Sequence, residues 1–209
     1  MEELDLLKKD WKKNENKFPK VSEKEIYAML HKNSTSVVKW IFVISILEFA
    51  FFLAITLLTS TKEIDGYISK TMMTILTAVD YAIMVYFFFL FYINYKKITS
   101  TDKVKNLMSS IIKTRKTVSA YIFVKITFII IMLTYMFLVL FYNEPEMIHT
   151  RLIAEEKGKS YILYIVTFIV VLFTLAIVAT AFWYIYKLVY GKLLKRLKKN
   201  YDELKKIDL

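Results

Sequence analysis

Four long apolar segments constrain this 209-residue chain more than any other feature of its sequence. The first runs from Val37 to Leu58 and reads VVKWIFVISILEFAFFLAITLL. A helix rises about 1.5 Å per residue, so about 20 such residues cross the hydrocarbon core of a bilayer. Three further segments of similar length follow, at residues 71–93, 118–142 and 161–186. The sequence therefore predicts an all-α integral membrane protein, a four-helix bundle of four spans.

The spans divide the chain into three parts. Residues 1–36 form a polar N-terminal tail, residues 37–186 form the bundle, and residues 187–209 form a basic C-terminal tail. The N-terminal tail lacks the apolar stretch of a cleavable signal peptide, so we expect the first span to direct membrane insertion. The spans also lack the Gly and Pro that interrupt helices in many transporters.

The N-terminal tail carries two helical patterns. Leu4, Leu7 and Trp11 recur at helical spacing among lysines. Ser22 and Glu25 have the spacing of a capping box, which predicts a short amphipathic helix that begins near Ser22. Two interpretations of the tail remain open. It is either a helical segment on the inner membrane face, or a docking segment for a cytoplasmic protein with Leu4, Leu7 and Trp11 as its anchors.

The C-terminal tail is basic and has apolar residues on one side. They step by four, four and three residues, at Leu193, Leu197, Tyr201 and Leu204. The pattern is typical of an amphipathic helix that continues the fourth span past Gly191 and lies on the membrane surface. It is also typical of a short coiled-coil seam that would make a homodimer.

The distribution of Lys and Arg predicts the orientation. Of the 30 Lys and Arg residues, 24 lie in the two tails (with Lys39 counted in the first) and in the segment 95–117, whereas 5 lie in the connections 59–70 and 143–160. Cytoplasmic connections carry an excess of positive charge, so both termini are predicted to be cytoplasmic. This accounts for the net charge of +11 without nucleic acid, and we expect these residues to contact anionic lipid headgroups.

Three ionisable residues lie inside the predicted spans: Glu48, Asp80 and Lys125. A charge at bilayer depth costs about 2.5–3.5 kcal/mol on insertion scales, so such residues usually face the bundle interior. Ser45 and Thr77 share a helix side with Glu48 and Asp80, respectively. The sequence therefore predicts an intramembrane polar cluster of these five residues. We expect Glu48 to contact Lys125, with Asp80 either protonated or sharing the lysine. Lys125 lies near the predicted inner edge, so snorkelling towards the cytoplasm is the other option for its side chain.

No catalytic chemistry is predicted. The chain has no cysteine and no phosphate-binding loop, nucleophile elbow or metalloprotease motif, so we assign no catalytic residue, metal site or cofactor. The only histidines, His31 and His149, are predicted to lie on opposite sides of the membrane. Glu144 and Glu146 stand near His149, and a solvated loop is the favoured interpretation of that group.

Three segments, Leu4–Lys13, Ser22–Leu30 and Ser34–Phe49, resemble a family of small, uncharacterised, four-span bacterial inner-membrane proteins. Members of that family are often labelled beta-carotene 15,15'-monooxygenase. Propeller-type carotenoid oxygenases hold iron with four histidines, whereas this chain has two, so no catalytic residue is carried over. The resemblance implies a multi-pass protein of the bacterial inner (plasma) membrane.

The sequence supports two functional hypotheses. In the first, a non-enzymatic inner-membrane protein recruits or regulates a cytoplasmic partner through its N-terminal tail, for example as an anti-sigma-like tether. In the second, a small transport or proton-linked membrane protein uses Glu48, Asp80 and Lys125. The polar cluster itself has two interpretations, since such charges either fix helix pairing or form a relay or polar ligand site.

Overall fold

The computed structural model describes residues 22–58, 69–101 and 103–207, and its described part consists of helices and short turns. The helices are α1 (Glu23–Leu58), α2 (Lys70–Thr99), α3 (Val104–Asn143), α4 (Pro145–Glu156) and α5 (Ser160–Ile207). The predicted all-α class is confirmed. Four of the helices, α1, α2, α3 and α5, are long and apolar enough to cross a membrane.

The four long helices form a bundle in which each packs against two neighbours. α1 and α3 each pack against both α2 and α5, and α1 also touches α3 across the bundle. Among the described residues, α2 and α5 make no packing contact, so they occupy opposite corners. The short helix α4 joins α3 to α5 and packs on both of them.

The helices extend well beyond the predicted spans. α3 has 40 residues and α5 has 48. At 1.5 Å per residue they are about 60 and 72 Å long, about twice the thickness of a hydrocarbon core. The short helix expected to begin near Ser22 is instead the first part of α1, whereas the C-terminal segment continues α5 past Gly191, as the first interpretation of that tail predicted. No Pro interrupts either extension, and α5 continues through Gly191.

The apolar side of the C-terminal segment packs within the molecule. Leu197 and Leu204 are fully buried, and both belong to the core of the bundle. Asn200 is buried beside them and donates a hydrogen bond to Ser34 Oγ of α1 at 2.9 Å. The two interpretations of this side, as a membrane-surface helix or as a dimer seam, are therefore corrected. The extensions of α1 and α3 supply the apolar surface that covers it.

Local signals explain where several helices begin and end. The predicted capping box is confirmed, because Ser22 N donates to Glu25 Oε2 at 2.8 Å and Glu25 N donates to Ser22 Oγ at 3.3 Å. The connection 143–160, expected as a loop, contains α4, which starts with Pro145 and ends before Gly158 at φ 61°. The basic segment 95–117 is almost entirely helical as well, because α2 and α3 extend into it.

The apolar core lies towards one end of the bundle. We call the end that holds Glu23, Ser100 and Ile207 the terminal end, and the end that holds Leu58 and α4 the far end. The buried core residues belong to the halves of the four helices nearest the terminal end: Leu30, Val37, Val38, Ile41, Phe87, Phe91, Ile98, Leu107, Ile111, Val118, Tyr121, Tyr186, Tyr190, Leu197 and Leu204. The most apolar 18-residue stretch of α5 has no buried residue at all. Its exposed apolar surface is suited to lipid.

Candidate functional site

Helical periodicity brings the predicted polar residues to the inside of the bundle. Lys125 and Ser45 are buried, while Glu48, Thr77 and Asp80 are partly buried. The Ser45 hydroxyl donates a hydrogen bond to the carbonyl oxygen of Phe42 in its own helix at 2.7 Å, so its donor is used within α1. The other four residues form two separate arrangements rather than one cluster.

The first arrangement is an ion pair between α2 and α3. Lys125 Nζ lies 2.6 Å from Asp80 Oδ1. Lys125 is 2% exposed, whereas the side chain of Asp80 is 24% exposed. The ammonium also lies 5.2 Å from the ring centroid of Phe52, within reach of a cation–π contact. The lysine therefore faces the bundle interior with both an anionic and an aromatic partner.

Two sequence expectations about Lys125 are corrected by this pair. Its partner is Asp80 and not Glu48, and its side chain does not snorkel to the terminal end. The physical reason is the position of Lys125 inside the bundle, where its side chain is buried. Asp80 is within contact distance of the ammonium, and the carboxylate of Glu48 is bonded by two tyrosines of α5 instead. The expectation that Asp80 uses the lysine agrees with the structure.

A cavity of about 230 Å³ lies beside the ion pair and is lined by all four long helices. Its lining residues are Phe52, Thr56, Leu76, Thr77, Asp80, Tyr81, Lys125, Phe128, Ile129, Met132 and Phe182. Tyr81 donates its hydroxyl to Thr56 Oγ1 at 2.8 Å across the α1–α2 wall. We call this space the central cavity.

The central cavity offers a donor and an acceptor side by side. An ammonium has three N–H donors, and among the described residues the only hydrogen bond of Lys125 is the one to Asp80 Oδ1. Asp80 Oδ2 likewise has no hydrogen-bond partner in the described part of the chain. A small molecule that carries both a donor and an acceptor, or a few water molecules, would satisfy both groups.

The second arrangement surrounds Glu48. Its Oε1 accepts a hydrogen bond from the Tyr186 hydroxyl at 2.6 Å, and its Oε2 accepts one from the Tyr190 hydroxyl at 3.3 Å. The ring of Tyr121 meets the rings of both tyrosines edge-on, at centroid distances of 6.0 and 6.3 Å. No Lys or Arg of the described ranges lies within 4 Å of this carboxylate.

Sequence reasoning assigned no tyrosine to the polar cluster. Tyr186 and Tyr190 lie four residues apart, so they share one side of α5 at the point where the predicted span ends. That spacing was the available signal. It was obscured because tyrosines near span ends are usually interfacial.

Phe52 and Phe182 separate the two arrangements. Both side chains line the central cavity, and both also line a second cavity of about 380 Å³ between α1 and α5 that contains Glu48. Phe52 is one turn beyond Glu48 on α1, and Phe182 is one turn before Tyr186 on α5. The two polar sites thus lie on opposite sides of an apolar wall.

A basic groove of about 620 Å³ lies between α3 and α5 near the terminal end. Three lysines line it, Lys105, Lys113 and Lys116, together with the apolar surfaces of Met108 and Ile112. Its charge is complementary to an acidic partner or to lipid phosphate.

The remaining candidates do not form a further site in the described ranges. Leu4, Leu7 and Trp11, the predicted docking residues, lie outside the described residues. His31 Nε2 lies 2.9 Å from the carbonyl oxygen of Ile98, at the terminal end. His149 belongs to α4 at the far end, and no group of three His, Asp or Glu side chains suited to a metal occurs among the described residues.

Comparison with known proteins identifies one related family. Residues 24–209 match the sequence family described as a domain of unknown function (DUF8845). No curated protein and no solved structure matches the chain.

Proposed function

The chain belongs to the DUF8845 family of domains of unknown function, and we propose that it is a non-enzymatic, multi-pass membrane protein that regulates a cytoplasmic partner. In this proposal a small polar ligand binds in the central cavity, and its occupancy is conveyed to the N-terminal tail. The observation that carries the proposal is the Asp80–Lys125 ion pair, which opens on a cavity lined by all four long helices.

The membrane setting of the proposal is the bacterial inner membrane, with both termini in the cytoplasm. The excess of Lys and Arg at the terminal end supports this orientation. The terminal halves of the helices then form a packed cytoplasmic extension, and the central cavity lies between the apolar halves. The basic groove near Lys116 would meet anionic headgroups of the inner leaflet.

The chemistry of the cavity favours a ligand that is both a donor and an acceptor. Lys125 presents unused N–H donors, and Asp80 presents an unused carboxylate oxygen. An N–H donor or carboxylate oxygen without a hydrogen-bond partner costs free energy in an apolar bundle. A zwitterionic or amphoteric molecule of a few heavy atoms is therefore the best match. A ligand there touches every span and thereby changes how the helices pack.

α1 connects the cavity to the tail without a break. Phe52 and Thr56 line the cavity near one end of this helix, and Glu23 begins the other end. A packed helix moves as a unit, so we expect a shift at the cavity to move the start of α1 and with it the part of the N-terminal tail that precedes Glu23. The tail contains the apolar positions Leu7 and Trp11, which are suited to anchor a partner.

The experiment that tests the proposal is affinity capture from native membranes. We expect the full chain to capture a cytoplasmic protein in stoichiometric amount, as measured by quantitative mass spectrometry. Deletion of residues 1–20, or the double substitution Leu7→Ala and Trp11→Ala, should abolish capture. The matched control, Asn14→Ala with Asn16→Ala in the same tail, should retain it. The proposal is contradicted if no captured protein depends on the tail.

A second candidate function is a small proton-linked transport protein, favoured by the position of two carboxylates on either side of the Phe52–Phe182 wall. Glu48 and Asp80 could then exchange protons when the wall opens. Its test is proton flux into proteoliposomes that contain a pH-sensitive dye. Flux that Glu48→Gln abolishes and the exposed-site control Glu146→Gln preserves would support transport. Flux no greater than that of protein-free vesicles would exclude it.

A further inference from the structure

An apolar groove runs between α3 and α5 in the far half of the bundle. Its volume is about 550 Å³, and it is lined mainly by aromatic and aliphatic side chains such as Phe137, Phe141, Phe168 and Leu172. Leu172 and Phe168 are largely exposed, so the groove opens sideways towards lipid. Thr134, one of its two threonines, donates a hydrogen bond to the carbonyl oxygen of Ile130 in its own helix. We call this space the α3–α5 groove.

Arg151 of α4 lies beside two aromatic residues that line the α3–α5 groove. The guanidinium carbon of Arg151 lies 5.3 Å from the ring centroid of Phe141 and 5.0 Å from that of Tyr142. Both rings line the groove. Arg151 Nη2 also donates to the carbonyl oxygen of Tyr142 at 3.1 Å. Two aromatic rings and one hydrogen bond thus hold the cation next to residues that line the groove.

The charge of Arg151 has no anionic partner in the described part of the chain. No carboxylate of the described residues lies within 4 Å of the guanidinium. Arginine has five N–H donors, and among the described residues only Nη2 makes a hydrogen bond. Nε has no partner but is buried, so a ligand would use the remaining N–H groups of the two Nη atoms. A fixed guanidinium with unused donors is suited to a phosphate, because it can bind two oxygens at once.

The surroundings of Arg151 have the features expected at a membrane–water boundary. α4 carries no buried residue, and its apolar side chains Ile148, Leu152 and Ile153 are exposed. The acidic residues Glu155 and Glu156 follow at its end. A short helix with exposed apolar side chains and charged neighbours is typical of the interface between headgroups and acyl chains.

We propose that the α3–α5 groove binds one phospholipid of the far-end leaflet, with an acyl chain between α3 and α5 and the phosphate paired with Arg151. Charge complementarity and the apolar lining together select this occupant. The site is independent of the central cavity, since it shares no lining residue with it.

The test uses the full chain in vesicles of phosphatidylcholine and phosphatidylglycerol that contain a phospholipid with a photoreactive acyl chain. After illumination, mass spectrometry locates the adducts. We expect them to concentrate in the groove segments 137–142 and 164–172. Arg151→Ala should reduce these adducts about tenfold, because it removes a charge-assisted pair. The exposed-site control Lys157→Ala, which removes the same charge at the same end, should leave them unchanged.

A second variant keeps the inference testable if Arg151→Ala impairs folding. Thr167→Phe fills the groove and should abolish the adducts, whereas Ile169→Phe on the outer side of α5 should not. A photoreactive diacylglycerol, which lacks phosphate, should label the groove about tenfold less than the phospholipid. Adducts spread evenly over all four long helices, and unaffected by Arg151→Ala, would overturn the proposal.

Discussion

Lys125 holds its charge in the bundle because Asp80 and Phe52 stand beside it. A buried ion pair gains little over a well-packed apolar pair, but removing one partner leaves an uncompensated charge. Asp80 is partly exposed to the central cavity, so it tolerates the loss of its partner better than Lys125 does. Loss of Asp80 should therefore destabilise the protein more than loss of Lys125, and substitutions can measure the difference.

Asp80→Asn should destabilise the protein by about 3–5 kcal/mol, because it strands a buried ammonium. Lys125→Met should cost less, and the double variant should be closer to wild type than Asp80→Asn alone. The measurement is unfolding of the detergent-solubilised protein by titration with a denaturing detergent. Glu155→Gln on the exposed α4 is the control. A double variant as unstable as Asp80→Asn would contradict the assigned pairing.

Tyr186 and Tyr190 should contribute unequally to stability. Tyr186 makes the shorter hydrogen bond to Glu48, at 2.6 Å against 3.3 Å for Tyr190. We expect Tyr186→Phe to lower the free energy of unfolding by about 1.5–3 kcal/mol, since its acceptor is a carboxylate, and Tyr190→Phe to lower it less. The same titration measures both. Equal losses, or a larger loss from Tyr190→Phe, would contradict the geometry.

Sequence periodicity predicted which sides of the helices face inward, but not which residues pair. Glu48, Asp80 and Lys125 each lie on the inner side expected for them. Pairing depends on how far each helix is shifted along its axis relative to its neighbours. Much of the packing that fixes this shift lies in the long terminal extensions, and hydropathy alone does not reveal them because they carry many lysines.

At the scale of the elements, α5 is a single helix despite a glycine in its interior. A Cβ at Gly191 would fit without a clash, since its nearest neighbour, Lys187 Cγ, would lie 3.6 Å away at van der Waals distance. Gly158, by contrast, takes a φ of 61° where the chain turns between α4 and α5. The backbone conformation therefore favours glycine at Gly158 but not at Gly191, and one substitution at each position tests the difference.

Gly191→Ala should raise the free energy of unfolding by about 0.5–1 kcal/mol, because alanine lowers the entropy cost of the helix. Gly158→Ala should lower it by about 1–2 kcal/mol, because a Cβ disfavours the left-handed conformation. Thermal unfolding in detergent micelles compares the two. A destabilising Gly191→Ala would mean that α5 needs a flexible point at this position.

The element boundaries divide into those that local chemistry predicted and those that it did not. The capping box at Ser22 and Glu25 predicted the start of α1. α4 was missed because its twelve residues mix apolar and charged side chains, and because polar residues flank them. Continuation of α5 past Gly191 was one of the interpretations of the C-terminal tail, but its packing against α1 and α3 was not foreseen, because the sequence does not show how far those helices extend.

The molecule as a whole has a packed terminal end and an open, apolar far end. The buried core belongs to the terminal halves, while the most apolar stretches are mostly exposed. If the terminal halves extend into the cytoplasm, water surrounds their outer surface, and lipid surrounds the far halves of the helices. The four apolar segments were predictable from hydropathy, whereas the long extensions of the helices at the terminal end required the structure.

The proposed orientation predicts the accessibility of single cysteines, which can be introduced without background because the chain has none. In intact cells, a membrane-impermeant maleimide should label Lys157→Cys at the far end. Lys198→Cys at the terminal end should be labelled only after lysis, since the positive-inside distribution predicts a cytoplasmic terminal end. The reverse pattern would contradict the orientation.

The most direct measurement of the central claim is partner capture by a protein whose central cavity is filled. Thr77→Phe places a ring in the cavity, and Val79→Phe places the same ring on the exposed side of α2. We predict that Thr77→Phe changes the amount of tail-dependent partner by about fivefold or more, as expected for coupled sites, while Val79→Phe leaves it unchanged. Capture equal to wild type in both variants would contradict the claim that cavity occupancy regulates the tail.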